Sequence, residues 1–250
     1  VAQDPSEGTG EDLYKQVQEL YKPKKTLLEI TESEILFDIP TSWLWVRLGN
    51  VSDSNIGLTY SPGDVGSRGT AVLRSNNIQN GKMNYHELVF VKSDVPESKM
   101  AHIGDLLICA RNGSHRLVGK NALVDEEGMC FGAFMALLRS DFTRFIKLFL
   151  DSPEFRRNLD GIQTTTINQI TQGLLNNFVL PLPPNAEQER IVERVEEIFA
   201  LIDELDVKHK AEEAERSKLV KSSLRALSDQ GSHLALENLT NIIKTKADAA

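Results

Sequence analysis

Residues 178–205 read FVLPLPPNAEQERIVERVEEIFALIDEL, an apolar strand that meets a proline brake and passes directly into a long charged helix. Phe178, Val179, Leu180 and Leu182 have the composition of a buried strand end. Pro181, Pro183 and Pro184 exclude both a helix interior and a central ladder, so a rigid extended connector follows and a globular domain is expected to stop there. Asn185 is the expected N-cap of the helix, with Glu187 and Glu189 in the first turn, where the helix dipole favours negative charge. Beyond it Ile191, Val195, Ile198, Ile202 and Leu205 alternate at spacings of four and three, which is a heptad seam.

The helix is expected to run to about residue 228, roughly 65 Å at about 1.5 Å per residue. Its seam thins where His209, Glu212 and Arg216 take heptad positions and resumes near Leu219, Leu224 and Leu227. So polar a helix is not held by propensity alone and needs a partner helix along much of its length. A helix folded back on its own domain fits less well, because its outer residues are charged throughout and the proline connector directs it away.

Upstream, residues 1–36 are polar, with a short helix expected over 11–22 that carries Leu13, Val17, Leu20 and Tyr21. Pro23 breaks it, and the segment reads as a lead-in outside the core. Residues 37–184 alternate short β-rich runs with turn signals. Strands are expected at 46–48, 71–74, 88–91, 106–109, 122–124, 136–138 and 177–182, with turns at Asn80-Gly81, Pro62-Gly63, Gly104-Asp105 and Glu127-Gly128. A helix over 145–159, inward at Phe145, Leu148, Phe149 and Phe155, is expected to split or restart at Pro153. The fold class is α+β: a compact mixed α/β domain followed by a long α-helix over 185–229, with a linker or short helix over 230–250.

Composition is that of an ordinary soluble protein, 40% hydrophobic and 26% charged. The longest apolar runs fall far below the ~20 residues of a spanning helix, so no membrane role is expected. Two cysteines, Cys109 and Cys130, in unlike contexts and without ligand-spaced partners, fit buried thiols in a reducing cytoplasm better than a disulfide or zinc site. The net charge of -8 is concentrated outside the domain: residues 42–180 carry 14 Lys and Arg against 13 Asp and Glu. A near-neutral domain with one basic face is compatible with DNA, since phosphate binding depends on local charge.

No enzymatic motif is present. The five histidines are scattered without pairing to Ser or Cys, and neither a phosphate-cradling Gly-x4-Gly-Lys loop nor a metal-ligand cluster occurs. Asp105 reads as a turn or capping residue in preference to a catalytic carboxylate. What the domain does have is polar loops rich in side chains that read DNA. Arg111, Asn112, Ser114, His115 and Arg116, followed by Lys120, come directly after the buried run 106–109. Arg74, Asn76 and Asn77 sit at another strand end, Thr164, Thr165, Thr166 and Asn168 form a third group, and Thr59, Tyr60 and Arg68 a fourth. Arginine can pair with guanine O6 and N7, asparagine with adenine N6 and N7, and hydroxyls with phosphate. Any one of these loops alone matches ordinary turn chemistry.

Three segments in the same order resemble the specificity subunits of type I restriction-modification enzymes. The stretch PLPPNAEQERIV at 181–192 is similar to the proline-bounded entry to their conserved helix. FDIPTSWLWVRL at 37–48 resembles the opening of their target recognition domain, and GDLLICARNGSHRLVGK at 104–120 an internal segment of it. Together they span about 37–227.

The resemblance implies a DNA-reading subunit that performs no chemistry and recognises one half of a bipartite target through variable loops. Residues 37–184 would be the target recognition domain, and 185–229 an antiparallel coiled-coil helix that docks methyltransferase subunits. Ile191, Val195, Ile198, Ile202, Leu205 and Leu219 would form the helix interface. S-adenosylmethionine, ATP and Mg2+ would be held by partner subunits, the methyltransferase and the restriction subunit. The chain departs from the family pattern in having one recognition domain and one complete conserved helix, and its opening VAQDP resembles the end of a conserved helical region. A fragment of a longer subunit, or a half-subunit that pairs with itself as a homodimer, are the two accounts. A protein-interaction scaffold with no DNA-reading role is the competing class.

Overall fold

The two ends of the recognition domain close on each other. Strand Leu44–Arg47 pairs antiparallel with Val179–Leu182, Leu44 opposite Leu182 and Arg47 opposite Val179. A two-stranded ribbon has free edges, so Pro181 sits opposite Trp45 without depriving a central ladder of a donor. The structure is a computed structural model that describes residues 3–23, 26–162 and 169–247. It divides into two compact units, residues 1–193 and 194–250.

In the first unit, a four-stranded antiparallel sheet has the order Asn121–Leu123, Leu106–Cys109, Met135–Arg139, Asp53–Ile56. A five-stranded sheet runs Val65–Gly66, Val89–Val91, Thr70–Leu73, Met129–Phe131, Met100–Ala101, and its pairing of Thr70–Leu73 with Met129–Phe131 is parallel. The strand over 106–109 lacks polar alternation because both its faces are covered. Leu106 and Ile108 enter one core cluster while Leu107 and Cys109 enter a second. Ala136 and Leu138 against Met135 and Leu137 divide in the same way on the neighbouring strand. Helices Thr143–Leu150, Pro153–Ile162 and Gln172–Asn177 follow the last sheet strand, and Phe145, Ile146, Phe155, Leu159 and Leu175 fill the first cluster. Pro153 restarts the chain at a first helical position, where its missing N–H costs nothing. Asn80 and Gly81, both at positive φ, turn a small hairpin between Ile78–Gln79 and Lys82–Met83, as the dipeptide predicts.

Three expectations are corrected. The opening segment belongs to the core: its helix is Gly10–Val17, shorter than expected, and Val17 and Tyr21 are buried in the first cluster. The cause is a close approach, because a Cβ on Gly10 would lie 2.1 Å from the Leu182 carbonyl oxygen, while the Gly10 N–H donates to Ser42 O at 2.7 Å. Strands at Asp53–Ile56 and Met129–Phe131 went unpredicted, the first because DSNI carries one apolar residue and lies largely at a surface. The long helix spans Asn185–Ala247, well past residue 228, since Gly231 is its sole interruption and a single glycine costs only about 1 kcal/mol. Asn185 is its first residue and not its cap.

The helix start is built into the first unit. Glu187 is buried and accepts from Trp43 Nε1 at 3.0 Å and from Gln3 Nε2, and Arg190 pairs with Glu7. Val192 is buried and Ile191 packs against the first cluster, so Ile191 is part of the domain core. In the second unit, Ile198, Ile202, Leu205 and Leu219 are exposed, and so are Phe199, Leu201, Val207 and Val220, which broadens the apolar surface beyond the seam. No helix among the described residues is long and apolar enough to cross a membrane.

Arg47 ties the domain ends to the opening segment. It is 3% exposed, yet its guanidinium is fully engaged: Nε donates to Leu28 O at 2.9 Å, and NH1 and NH2 reach the two Glu34 carboxylate oxygens at 2.6 and 2.9 Å. The same nitrogens donate to Asn177 O and Glu29 O. Arg47 holds the Glu34 carboxyl down at about 2, below its ordinary 4.5. Removing one partner of such a pair leaves the other uncompensated, so Arg47→Ala should cost roughly 3–5 kcal/mol in urea denaturation. Because the folded-state value is depressed, Glu34 contributes stability that is complete above pH 4.5 and is lost as pH falls towards about 2. Glu34→Gln should therefore be less stable at pH 7 and lack that part of the acid slope.

Candidate nucleic-acid interface

Four loops leave the ends of sheet strands and converge. Residues 58–60 follow Asp53–Ile56, 74–76 follow Thr70–Leu73, 111–113 follow Leu106–Cys109, and 132–135 join Met129–Phe131 to Met135–Arg139. They line a cleft of about 860 Å³. Its lining includes Tyr60, Arg74, Arg111, Asn112 and Phe134 but no Asp or Glu. Two guanidiniums with no acidic counterpart in the lining make it suited to a polyanion carrying flat, edge-polar groups.

Backbone hydrogen bonds fix the loops to one another. Phe134 O accepts from both Ala110 N and Arg111 N at 2.9 Å, Leu58 N donates to Phe131 O at 2.7 Å, and Gly132 N donates to Leu73 O at 3.0 Å. Gly57 makes the approach possible, because a Cβ there would lie 2.1 Å from Gly132 O and 2.4 Å from Phe131 O. On the other side Ile170 N donates to Ala110 O at 2.7 Å, and Gln169 forms an antiparallel bridge with Arg111. The Arg111 guanidinium carbon lies 5.3 Å from the centroid of the Phe134 ring, and Phe134 is 59% exposed. Asn112 latches two loops, its Nδ2 donating to Ser75 Oγ at 3.2 Å while its Oδ1 accepts from Ser114 N at 3.0 Å.

Of the residues singled out from sequence, Thr59, Tyr60, Arg74, Asn76, Arg111 and Asn112 come together in this cleft. Ser114 and Arg116 are exposed on the same loop, outside the lining, and Arg68 is exposed on a separate turn. Asn77 is fully buried: its amide nitrogen donates to Asn84 O and His86 O and its oxygen accepts from Arg74 N, so it shapes the loop from within. Lys120 donates to Ile78 O at 2.9 Å. His115 lies 3.5 Å from Asp160, and its carbonyl accepts from Arg156, which binds it to the helix behind. Thr164, Thr165, Thr166 and Asn168 lie outside the described residues. Sequence reasoning missed Phe134. The available signal was an aromatic in the glycine-bounded turn GAF at 132–134, between two apolar runs.

The rest of the chemistry is structural. Asp105 is buried, accepts from His102 N at 2.8 Å and is gripped by Arg139 through Nε at 2.8 Å and NH2 at 2.6 Å, the capping role its position predicts. Burial pushes the Cys109 thiol up and the Cys130 thiol up to about 11, so both stay protonated at neutral pH. Among the described residues no group of three His, Cys, Asp or Glu is placed to hold a metal ion.

No protein-family model matches the chain. The type I restriction enzyme EcoKI specificity subunit of Escherichia coli (strain K12) is 32% identical to it over 175 residues, 66% of this chain and 38% of that protein. This chain is a homologue of type I restriction enzyme specificity subunits. The StySPI specificity subunit of Salmonella potsdam is 30% identical over 175 residues, with the same coverage of both. The chain thus spans well under half the length of these relatives. The HsdS subunit from Thermoanaerobacter tengcongensis superposes with a TM-score of 0.54 at 23% identity, over 79% of this chain and 45% of that one. A chain from a structure of the type I R-M system superposes with a TM-score of 0.60 at 24% identity, over 84% and 49%. The fold, a mixed α/β domain with a long helix, is the specificity-subunit fold.

Gly57 tests whether the loops depend on their close approach. Gly57→Ala forces backbone against backbone and should lower stability by about 1–3 kcal/mol. Gly113→Ala, at a position with no heavy atom within 4 Å of the added carbon, should leave the denaturation midpoint level or slightly raised.

Proposed function

We propose that this chain is a sequence-reading DNA subunit of a type I restriction-modification complex, recognising one half of a bipartite target and doing no chemistry itself. The observation that carries the reading is the cleft: in a homologue of specificity subunits, rigid strand ends deliver Arg74, Arg111 and two aromatics to one acid-free concavity. Cations of that kind neutralise phosphates and read base edges, whereas an enzyme would need a nucleophile and base in register. Under this reading residues 37–184, with the opening helix packed into their core, are the recognition domain, and the long helix Asn185–Ala247 is the docking helix. Thr59, Tyr60, Arg74, Asn76, Arg111 and Asn112 form the DNA surface, with Ser114, Arg116 and Lys120 flanking it.

The long helix docks the methyltransferase subunits and pairs with a second helix, from another copy of this chain or from the remainder of a longer subunit. Supporting this, Ile198, Ile202, Leu205 and Leu219 leave large apolar side chains in water when the helix stands by itself. S-adenosylmethionine, ATP and Mg2+ belong to the partner subunits, in the cytoplasm.

The test is co-purification with a cognate methyltransferase subunit, followed by methylation of a random DNA library and sequencing of modified sites. A defined motif is expected, palindromic if two copies assemble. Charge reversal at Arg111 and Arg116 should abolish selective methylation while assembly persists, and Ile198→Glu with Ile202→Glu should abolish assembly while the domain stays folded by circular dichroism. Stable assembly with no motif would instead support a protein-interaction scaffold.

A further inference from the structure

We infer that Arg111, propped against the face of Phe134, reads a single guanine of the recognised half-site, and that Asn112 beside it positions the loop without reading a base. The inference rests on the DNA-recognition reading above and adds to it the residue and the base. Arg111 is exposed, and among the described residues no carboxylate pairs with its guanidinium, so its planar donor edge is open to a ligand. Its main chain is held on two sides, by the bond to Phe134 O and by the bridge to Gln169. Its guanidinium lies within cation–π range of the Phe134 ring, which limits the orientations the fork explores. A phosphate contact requires only a nearby charge. An oriented, planar, two-pronged donor at the end of a rigid strand is what bidentate recognition of guanine O6 and N7 requires.

The neighbouring candidates are engaged elsewhere. Both ends of the Asn112 amide have protein partners, Ser75 and Ser114, so the adenine-reading role its residue type invites would first require breaking that latch. Arg74 donates through NH2 to Glu87 O at 3.3 Å, a main-chain partner outside the cleft lining. Arg116 is exposed on the same loop, with no aromatic ring beneath it among the described residues, which suits a phosphate contact. The loop therefore divides its work: Arg111 for the base, Arg116 for the backbone, and Asn112 for the shape of the turn.

The experiment uses the whole chain bound to its methyltransferase subunit, with a library of randomised duplexes. Arg111→Ala should relax one G·C position by roughly 5- to 150-fold and leave the other positions as they were. Replacing that guanine by 7-deazaguanine, which lacks the N7 acceptor, should weaken the wild-type complex and leave the Arg111→Ala complex unaffected. Phe134→Ala should relax the same position more weakly, with Phe134→Tyr restoring it, a rescue that a purely structural role would not produce. Arg116→Ala should weaken all sequences alike and lower the salt dependence by about one phosphate contact. The inference is overturned if Arg111→Ala weakens every sequence equally, if the relaxed position is not G·C, or if 7-deazaguanine leaves the wild type indifferent. Those outcomes leave DNA recognition standing, whereas a wild-type complex that selects no motif removes both.

Discussion

The antiparallel closure of Leu44–Arg47 on Val179–Leu182 is the constraint from which the rest follows. It joins residues more than 130 positions apart. The chain reinforces it from three sides. Arg47 binds the carbonyls of Leu28, Glu29 and Asn177 together with the Glu34 carboxylate, Gly10 brings the opening helix into backbone contact with Leu182, and Glu187 and Arg190 return from the helix to Trp43, Gln3 and Glu7. A buried arginine with this many carbonyl acceptors is costly to dehydrate and is tolerable only because each donor has a partner. It acts as a register pin: a slip of either strand by one residue would turn Arg47 outward and bury a side chain from the wrong face.

The second organising feature is that the four-stranded sheet has a core on each side. Two clusters compress Leu106–Cys109 and Met135–Arg139 between them, so the strand ends that feed the cleft have little freedom to move. Loops of varied sequence can be grafted on such ends without altering the support.

Much of the architecture was legible because it is local. The proline brake at 181–184 ends the closing strand, although the compact unit continues to residue 193, the run at 106–109 is an unmistakable buried strand, and Asn80-Gly81 names its own turn. The closure ribbon and the burial of Val17 and Tyr21 were not legible, since nothing in a short polar helix announces that a partner far away in sequence will cover one of its faces. The site divides the same way. Arg111 and Arg74 were singled out by residue type at strand ends and Tyr60 in a further loop, and the fold brings the three together in one cleft. Asn77 was placed on the surface by the same logic and is buried, because an asparagine that satisfies backbone groups inside a loop has the same sequence signature as one that faces a ligand. Phe134 escaped because an aromatic in a loop is ordinarily assigned to a core. Only the pairing with Arg111 gives it a different meaning.

The cleft and the helix start use separate anchors within the first unit. The cleft loops are joined by bonds among residues 57–58, 73, 75, 109–114, 131–135 and 169–170. The helix start is held by Gln3, Glu7, Trp43 and the ribbon. Among these bonds no residue serves both sets, and contacts that share no partner contribute close to additively. Changes in the loops can therefore leave the helix start undisturbed, while changes in the ribbon bear on the helix start. That separation would serve the proposed reading of variable sequences by loops carried on a constant support.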